Sequence, residues 1–113
     1  MTLQELIDLQ IFTVLNRGEE LDKELTHPFC CDLLSIAMGK APAGSVWVTV
    51  MANINTLAVA TLAEVGCVVM AESVSPDEMV LRKAAEQGIT VLSTDLPVFD
   101  AALKVWSLLN PDE

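Results

Sequence analysis

The chain has 113 residues, 52% of them apolar, and sets 16 Asp and Glu against 6 Lys and Arg, a formal charge of -10. That length fits one domain with one core, and so acidic a field repels nucleic-acid phosphates and anionic membrane surfaces unless basic residues cluster. They do not cluster, since Arg17, Lys23, Lys40, Arg82, Lys83 and Lys104 are dispersed with one adjacent pair, so neither nucleic acid nor a membrane is an expected partner.

The first residues, MTLQELIDLQ, lack a basic n-region and hold Glu5 and Asp8, unlike a signal or transit peptide. Cys30, Cys31 and Cys67 form an odd set without CxxC spacing, which points to a reduced compartment. A cytoplasmic protein is expected.

Thr2 and Glu5 have capping-box spacing ahead of Leu6 and Ile7, so the chain is predicted to open with a short helix. IFTVL, Ile11 to Leu15, is β-branched and aromatic and ends at the turn residues Asn16-Arg17-Gly18, which makes it a strand. Gly18 to His27 is charged, with Leu21 and Leu25 as its apolar anchors, and reads as a surface loop. CCDLLSIAMGKAPAG passes from an apolar run to Gly39, Pro42 and Gly44, a strand end or helical turn followed by a loop.

Ala41 to Ala63 carries no charged side chain, yet Pro42, Gly44, Asn53, Asn55 and Thr56 interrupt it, so it is not a membrane span. Ser45 to Met51 reads as a buried strand, and Ile54, Leu57, Ala58, Thr61, Leu62 and Val65 then fall near helical spacing. The same unit follows twice more. CVVMA is a strand, Ser75-Pro76-Asp77-Glu78 reads as N-cap, N1 Pro and N3 Glu, Val80, Leu81, Ala84 and Ala85 form an apolar face, and Gly88 closes the helix. ITVLS is the last strand, and Thr94-Asp95-Leu96-Pro97 opens a helix bearing Phe99, Leu103 and Trp106, with both Trp residues and Phe99 expected in the core. Apolar strands alternating with helices imply an α/β fold, a three-layer α/β/α arrangement with a mostly parallel sheet of four to five strands in a single domain over residues 1–113.

Three segments, LDKELTHPFCCDLLSIAMGKA, VWVTVMANINTLAVA and SPDEMVLRKAAEQGITVLSTDLPVFDAA, together resemble the DRTGG domain, a small α/β family related in fold to the N-terminal domain of HPr kinase. The most specific pieces are Asp32-Leu33-Leu34-Ser35, Asn55 with Ala58-Val59-Ala60, and Ser93-Thr94-Asp95; the string that names the family is absent. The resemblance implies a regulatory domain of bacteria and archaea, found fused to phosphotransacetylase, beside CBS domains in a nucleotide-regulated pyrophosphatase, or as short independent proteins encoded near iron-only hydrogenases. It therefore implies an adenine-nucleotide-like ligand or a redox-enzyme partner.

In open parallel sheets ligands bind beyond the carboxyl ends of strands, beside helix N-termini. Three such joints are predicted, at Ala52 to Asn55, Glu72 to Asp77 and Thr94 to Pro97. Asn53 and Asn55 could read a base or ribose edge and Thr94 and Asp95 could hydrogen-bond nearby; alternatively Asn53 and Asp95 cap their helices. Asp32, in the apolar run FCCDLLSIAM, needs hydrogen bonds, from a network with Ser35 or as a helix cap. No GxxxxGK[ST] loop is present and Asp32 has no companion base or nucleophile, so the expectation is a non-enzymatic domain without a cofactor. Neighbouring cysteines cannot easily face one tetrahedral ion, so Cys30, Cys31 and Cys67 are expected to pack and His27 to be solvated, with no metal site. The apolar excess in a small domain implies a leftover patch covered by a twin copy, hence a homodimer.

Overall fold

A computed structural model describes residues 1–112. Its elements run α1 (Leu3–Asp8), β1 (Thr13–Asn16), β2 (Pro28–Cys30), α2 (Leu34–Lys40), β3 (Val46–Thr49), α3 (Ile54–Ala63), β4 (Cys67–Met70), α4 (Glu78–Gln87), β5 (Val91–Ser93) and α5 (Val98–Leu109). The five strands form one sheet in the order β1-β5-β4-β3-β2, with β2 to β5 parallel and β1 antiparallel to β5. This is the expected α/β architecture, with helices on both faces.

Topology dictates which helix lies where. From β2 to β5 each strand is added on the same side of the last, so right-handed crossovers place α2, α3 and α4 on one face. There Ala37, Leu57, Val59, Ala60, Val80 and Ala84 pack with Trp47, Val68, Met70 and Val91. On the opposite face Leu3, Leu6 and Ile7 of α1 and Ala101, Ala102 and Val105 of α5 pack with Val46, Val48, Cys67, Val69 and Leu92. All residues of β3 and β4 are buried, as befits central strands covered twice.

Local details depart from the sequence expectation at several points. The capping box of α1 forms between Thr2 and Glu5 as predicted. α4, however, starts at Glu78 with Asp77 as its cap, not Ser75: Asp77 Oδ1 accepts the Val80 N–H at 3.0 Å, and the buried Pro76 leads into it. In α3 the buried residues are Thr56, Leu57, Val59 and Ala60, whereas Leu62 is 70% exposed. Nearly every side chain of α3 is apolar or small, so periodicity could not choose its face. In α4, Ala85 faces solvent and Val80 and Ala84 are buried. Phe99 and Trp106 are likewise outside the core, because α5 turns its small side chains Ala101 and Ala102 to the sheet. Segment 30–44 resolves into the end of β2, then α2 running through Gly39.

Candidate functional site

The carboxyl ends of β2, β3, β4 and β5 lie along one edge of the sheet, and the sequence-predicted site residues Asp32, Asn53, Asn55, Thr94 and Asp95 all follow these ends. They fall into two groups separated by β4.

The first group surrounds β2 and β3. Trp47 Nε1 donates to the Cys31 carbonyl at 3.0 Å and so anchors the chain just before Asp32. Asp32 Oδ1 then accepts from Thr49 Oγ1 at 2.6 Å and from the Val50 N–H at 3.0 Å, while Thr49 Oγ1 accepts from the Met51 N–H at 3.2 Å. Asp32 is therefore a latch between two loops. It does not cap α2, whose N-cap is Leu33 with no side-chain hydrogen bond, and its partners are Thr49 and Val50, not Ser35. Asn53 does cap α3, its Oδ1 accepting the Thr56 N–H at 3.2 Å, and Asn55 is exposed in the first turn.

The second group lies at β4 and β5, where the fold changes direction. After β4 the chain passes to α4 on one face, and after β5 to α5 on the other. Neighbouring parallel strands whose connections leave to opposite faces create the crevice that α/β proteins use for ligands. Here two loops line it and grip each other. Glu72 N–H donates to Leu96 O at 2.8 Å, and Ser73 N–H to Thr94 O at 3.1 Å. Ser73 Oγ donates to Asp95 Oδ1 at 2.8 Å, and Val98 N–H to Glu72 Oε2 at 3.3 Å. Asp95 is thus not the cap of α5; the carboxylate of Glu72, reaching from the neighbouring loop, takes that place.

Glu72 and Ser73 begin a joint that the sequence predicts, Glu72 to Asp77, but nothing in the sequence singles them out within it. Their φ values are 58° and 63°, two consecutive non-glycine residues in the left-handed region, a conformation that costs on the order of 1 kcal/mol or more per residue and collects at functional sites. No Gly or Asn marks it in the sequence. Beside these loops an open groove of about 330 Å³ is lined by Ile11, Thr13, Ser93, Thr94, Asp95, Leu96 and Pro97. It contains no basic side chain. Lys83 pairs with Glu86 at 3.6 Å and Arg82 with Glu78 at 3.5 Å on α4.

A larger concavity, about 580 Å³, opens at the opposite edge of the sheet. Glu19, Glu20, Asp22 and Glu64 wall it together with the C-terminal ends of α3 and α4, which carry partial negative charge. The Lys23 ammonium already donates to the Glu64 carbonyl there at 3.2 Å. Electrostatics favour the smaller groove for any anionic metabolite.

Of the three cysteines expected to pack, Cys67 is in the core, Cys31 is half-buried and Cys30 is exposed. Cys67 is fully buried between strands, and burial pushes its thiol up to about 12. Desolvation and then the Asp32 charge raise that of Cys30. Cys31 donates to the Leu33 carbonyl at 3.3 Å. Among the described residues no three His, Cys, Asp or Glu side chains converge as metal ligands, and no helix is long and apolar enough to cross a membrane.

No family model and no curated protein matches the chain. A solved structure does: the CBS and DRTGG domains of the regulatory region of Clostridium perfringens pyrophosphatase, complexed with its activator diadenosine tetraphosphate. The likeness has a TM-score of 0.72 at 15% identity, and it covers 92% of this chain and 45% of that one. The chain accordingly spans less than half of that regulatory region, and it has a DRTGG-like domain fold.

Proposed function

We propose that this protein is a non-catalytic regulatory or accessory domain that senses an adenine-nucleotide-like metabolite at the carboxyl edge of its sheet. The observation that carries the reading is the crevice between β4 and β5, where α4 and α5 depart to opposite faces and Glu72 and Ser73 hold strained backbone against Thr94 and Asp95. Thr94 and Asp95 would meet the ribose hydroxyls, and Asn53 and Asn55 the base. β3 and β5 are two strand spacings apart, about 10 Å, roughly the length of a nucleoside. Asp32 supports this edge as a latch. Its acceptor oxygen is already committed to Thr49 and Val50, which favours a supporting role over a catalytic one.

Charge divides the ligand into two parts. Asn53, Asn55, Thr94 and Asp95 include no basic group, so the phosphates of such a ligand would point to solvent and its base and ribose would supply the affinity. The activator bound by the Clostridium perfringens regulatory region is a nucleotide of this kind, which supports the ligand class. A connection to iron-only hydrogenase systems rests on the sequence resemblance alone.

Thermal unfolding against adenosine, AMP, ATP and diadenosine tetraphosphate tests the reading. A ligand at 100 times its dissociation constant adds about 2.7 kcal/mol, several degrees in a domain this small. The shift should vanish in Asp95→Ala and in Asn53→Ala, each compared with its own unliganded midpoint. A flat panel would leave the second reading, a protein-interaction module, which the exposed apolar side chains of α5 favour.

A further inference from the structure

The least explained surface of the molecule is the outer side of α5. Phe99 is 70% exposed, Leu103 49% and Trp106 44%, while Ala101, Ala102 and Val105 of the same helix are buried. The three large side chains are spaced i, i+4, i+7 and form one continuous stripe. At about 100° per residue, Leu103 and Ser107 lie at the centre of the outward face. Phe99 and Trp106 flank it on one side, and Asp100 and Lys104 on the other. Among the described residues neither Asp100 nor Lys104 forms an ion pair.

This pattern is self-complementary. A two-fold axis perpendicular to two antiparallel helices keeps each flank on its own side and pairs residues whose numbers have a constant sum. Phe99 against Trp106 of a second copy gives 205, Asp100 against Lys104 gives 204, and Leu103 against itself gives 206. All three contacts therefore occur in one register, within a single residue of slack. Aromatic packing forms on one flank, two opposite-charge pairs on the other, and a leucine contact on the axis. We propose that α5 is the interface of a homodimer, packed antiparallel against α5 of a second copy about an axis through Leu103. The inference stands apart from the metabolite site, which lies beyond the start of this helix.

The magnitude of the patch sets the strength. Scaling about 150–250 Å² for a whole aromatic side chain by these exposures, the stripe offers roughly 300 Å² per protomer. Two copies bury about 600 Å², half of the smallest standard interface at about 1,200 Å². With its flanking residues the pairing belongs in the micromolar range. The second copy is favoured over a foreign helix because both partners of the charged pair, and both aromatics, come from this one stripe.

Sedimentation equilibrium from 5 to about 500 µM tests it, since a micromolar constant makes dimer formation visible across that range. The weight-average mass should rise from 12.2 kDa towards twice that value, and Leu103→Glu should hold it at the monomer mass. Asp100→Lys and Lys104→Asp should each weaken association roughly fivefold, since two exposed pairs are lost together, and the double exchange should restore it. All three positions are exposed, and unchanged circular dichroism and melting will show that the variants fold. A wild-type chain that stays monomeric throughout, a dimer indifferent to Leu103→Glu, or a double exchange no better than the single ones would each overturn the proposal.

Discussion

Thr49 donates its hydroxyl to Asp32 across the junction of β2 and β3, at 2.6 Å, and the same carboxylate oxygen takes the Val50 N–H at 3.0 Å. Thr49 is wholly buried, so its hydroxyl depends on this partner. Removing a partner from a buried group costs about 1–3 kcal/mol. Thr49→Val and Asp32→Ala should therefore each lower unfolding stability by about 1–2 kcal/mol, and together by less than the sum, with a coupling of about 0.5–1.5 kcal/mol. Asp32→Asn, which keeps the acceptor, should cost clearly less. Urea unfolding of the parent and these four variants measures all of this; additive losses would show that the contact is not a unit.

The left-handed residues make a contrasting series. Glu64 ends α3 with φ 57°, where Gly88 performs the same task for α4 at φ 69°. Among the described residues its side chain makes no hydrogen bond, and the cap bonds run from its backbone N–H to Ala60 and Thr61. Glu64→Gly should stabilise the fold by about 0.5–1 kcal/mol, because glycine enters this region without a Cβ penalty. Ser73→Gly should gain the same relief but lose the 2.8 Å bond to Asp95, leaving the balance near zero. A drop in stability for Glu64→Gly would mean that its side chain contributes more than its strain.

The contrast explains what a sequence can disclose here. The starts of α1 and α3 and the apolar strands were legible because they depend on neighbours in the chain: Thr2 with Glu5, Asn53 with Thr56, or the unbroken run of β4. The crevice was legible in part, since Thr94 and Asp95 follow a recognisable strand. The joint that begins at Glu72 was legible too, but the left-handed turn of Glu72 and Ser73 was not, because it is imposed by Thr94, Leu96 and Val98, more than 20 residues away. The outward turn of Phe99 and Trp106 was hidden for a related reason. Both faces of α5 are apolar, and the closeness of the sheet, which favours Ala101 and Ala102, decides between them.

Thiol chemistry should separate the cysteines. Cys67 is shut between strands and its thiol is raised to about 12 by burial, whereas Cys30 is exposed. A thiol reagent at pH 8 should label Cys30 in the folded protein and reach Cys67 only on unfolding. The sign of the linkage follows. In the unfolded chain Cys67 ionises near 9.0, and in the folded chain near 12. Its contribution is fully present below pH 9 and is lost as pH rises towards 12. Cys67→Ser should therefore remove part of the alkaline loss of stability. Mass-spectrometric mapping and melting curves from pH 8 to pH 10.5 check both outcomes, the second spanning the lower half of that window.

Gly18 is fixed by closeness, not by an unusual torsion. Its N–H donates to Thr90 Oγ1 at 2.9 Å and the next N–H, of Glu19, to the Gly88 carbonyl at 2.9 Å, so the chain after β1 lies directly on the turn that leads into β5. A Cβ at Gly18 would meet the Gly88 carbonyl oxygen, and would come within 2.6 Å of the Gly88 carbonyl carbon and 2.7 Å of that of Ile89. All three are backbone atoms that no rotamer change can move. Gly39, by comparison, has open space around it within helix α2. Gly18→Ala should cost about 2–4 kcal/mol, in the range of steric faults that force the backbone apart. Gly39→Ala should instead stabilise by about 0.5–1 kcal/mol through helix propensity. Parallel urea titrations of the two variants decide the matter: if Gly18→Ala unfolds like the parent, β1 does not pack on the Gly88 turn as closely as its hydrogen bonds require.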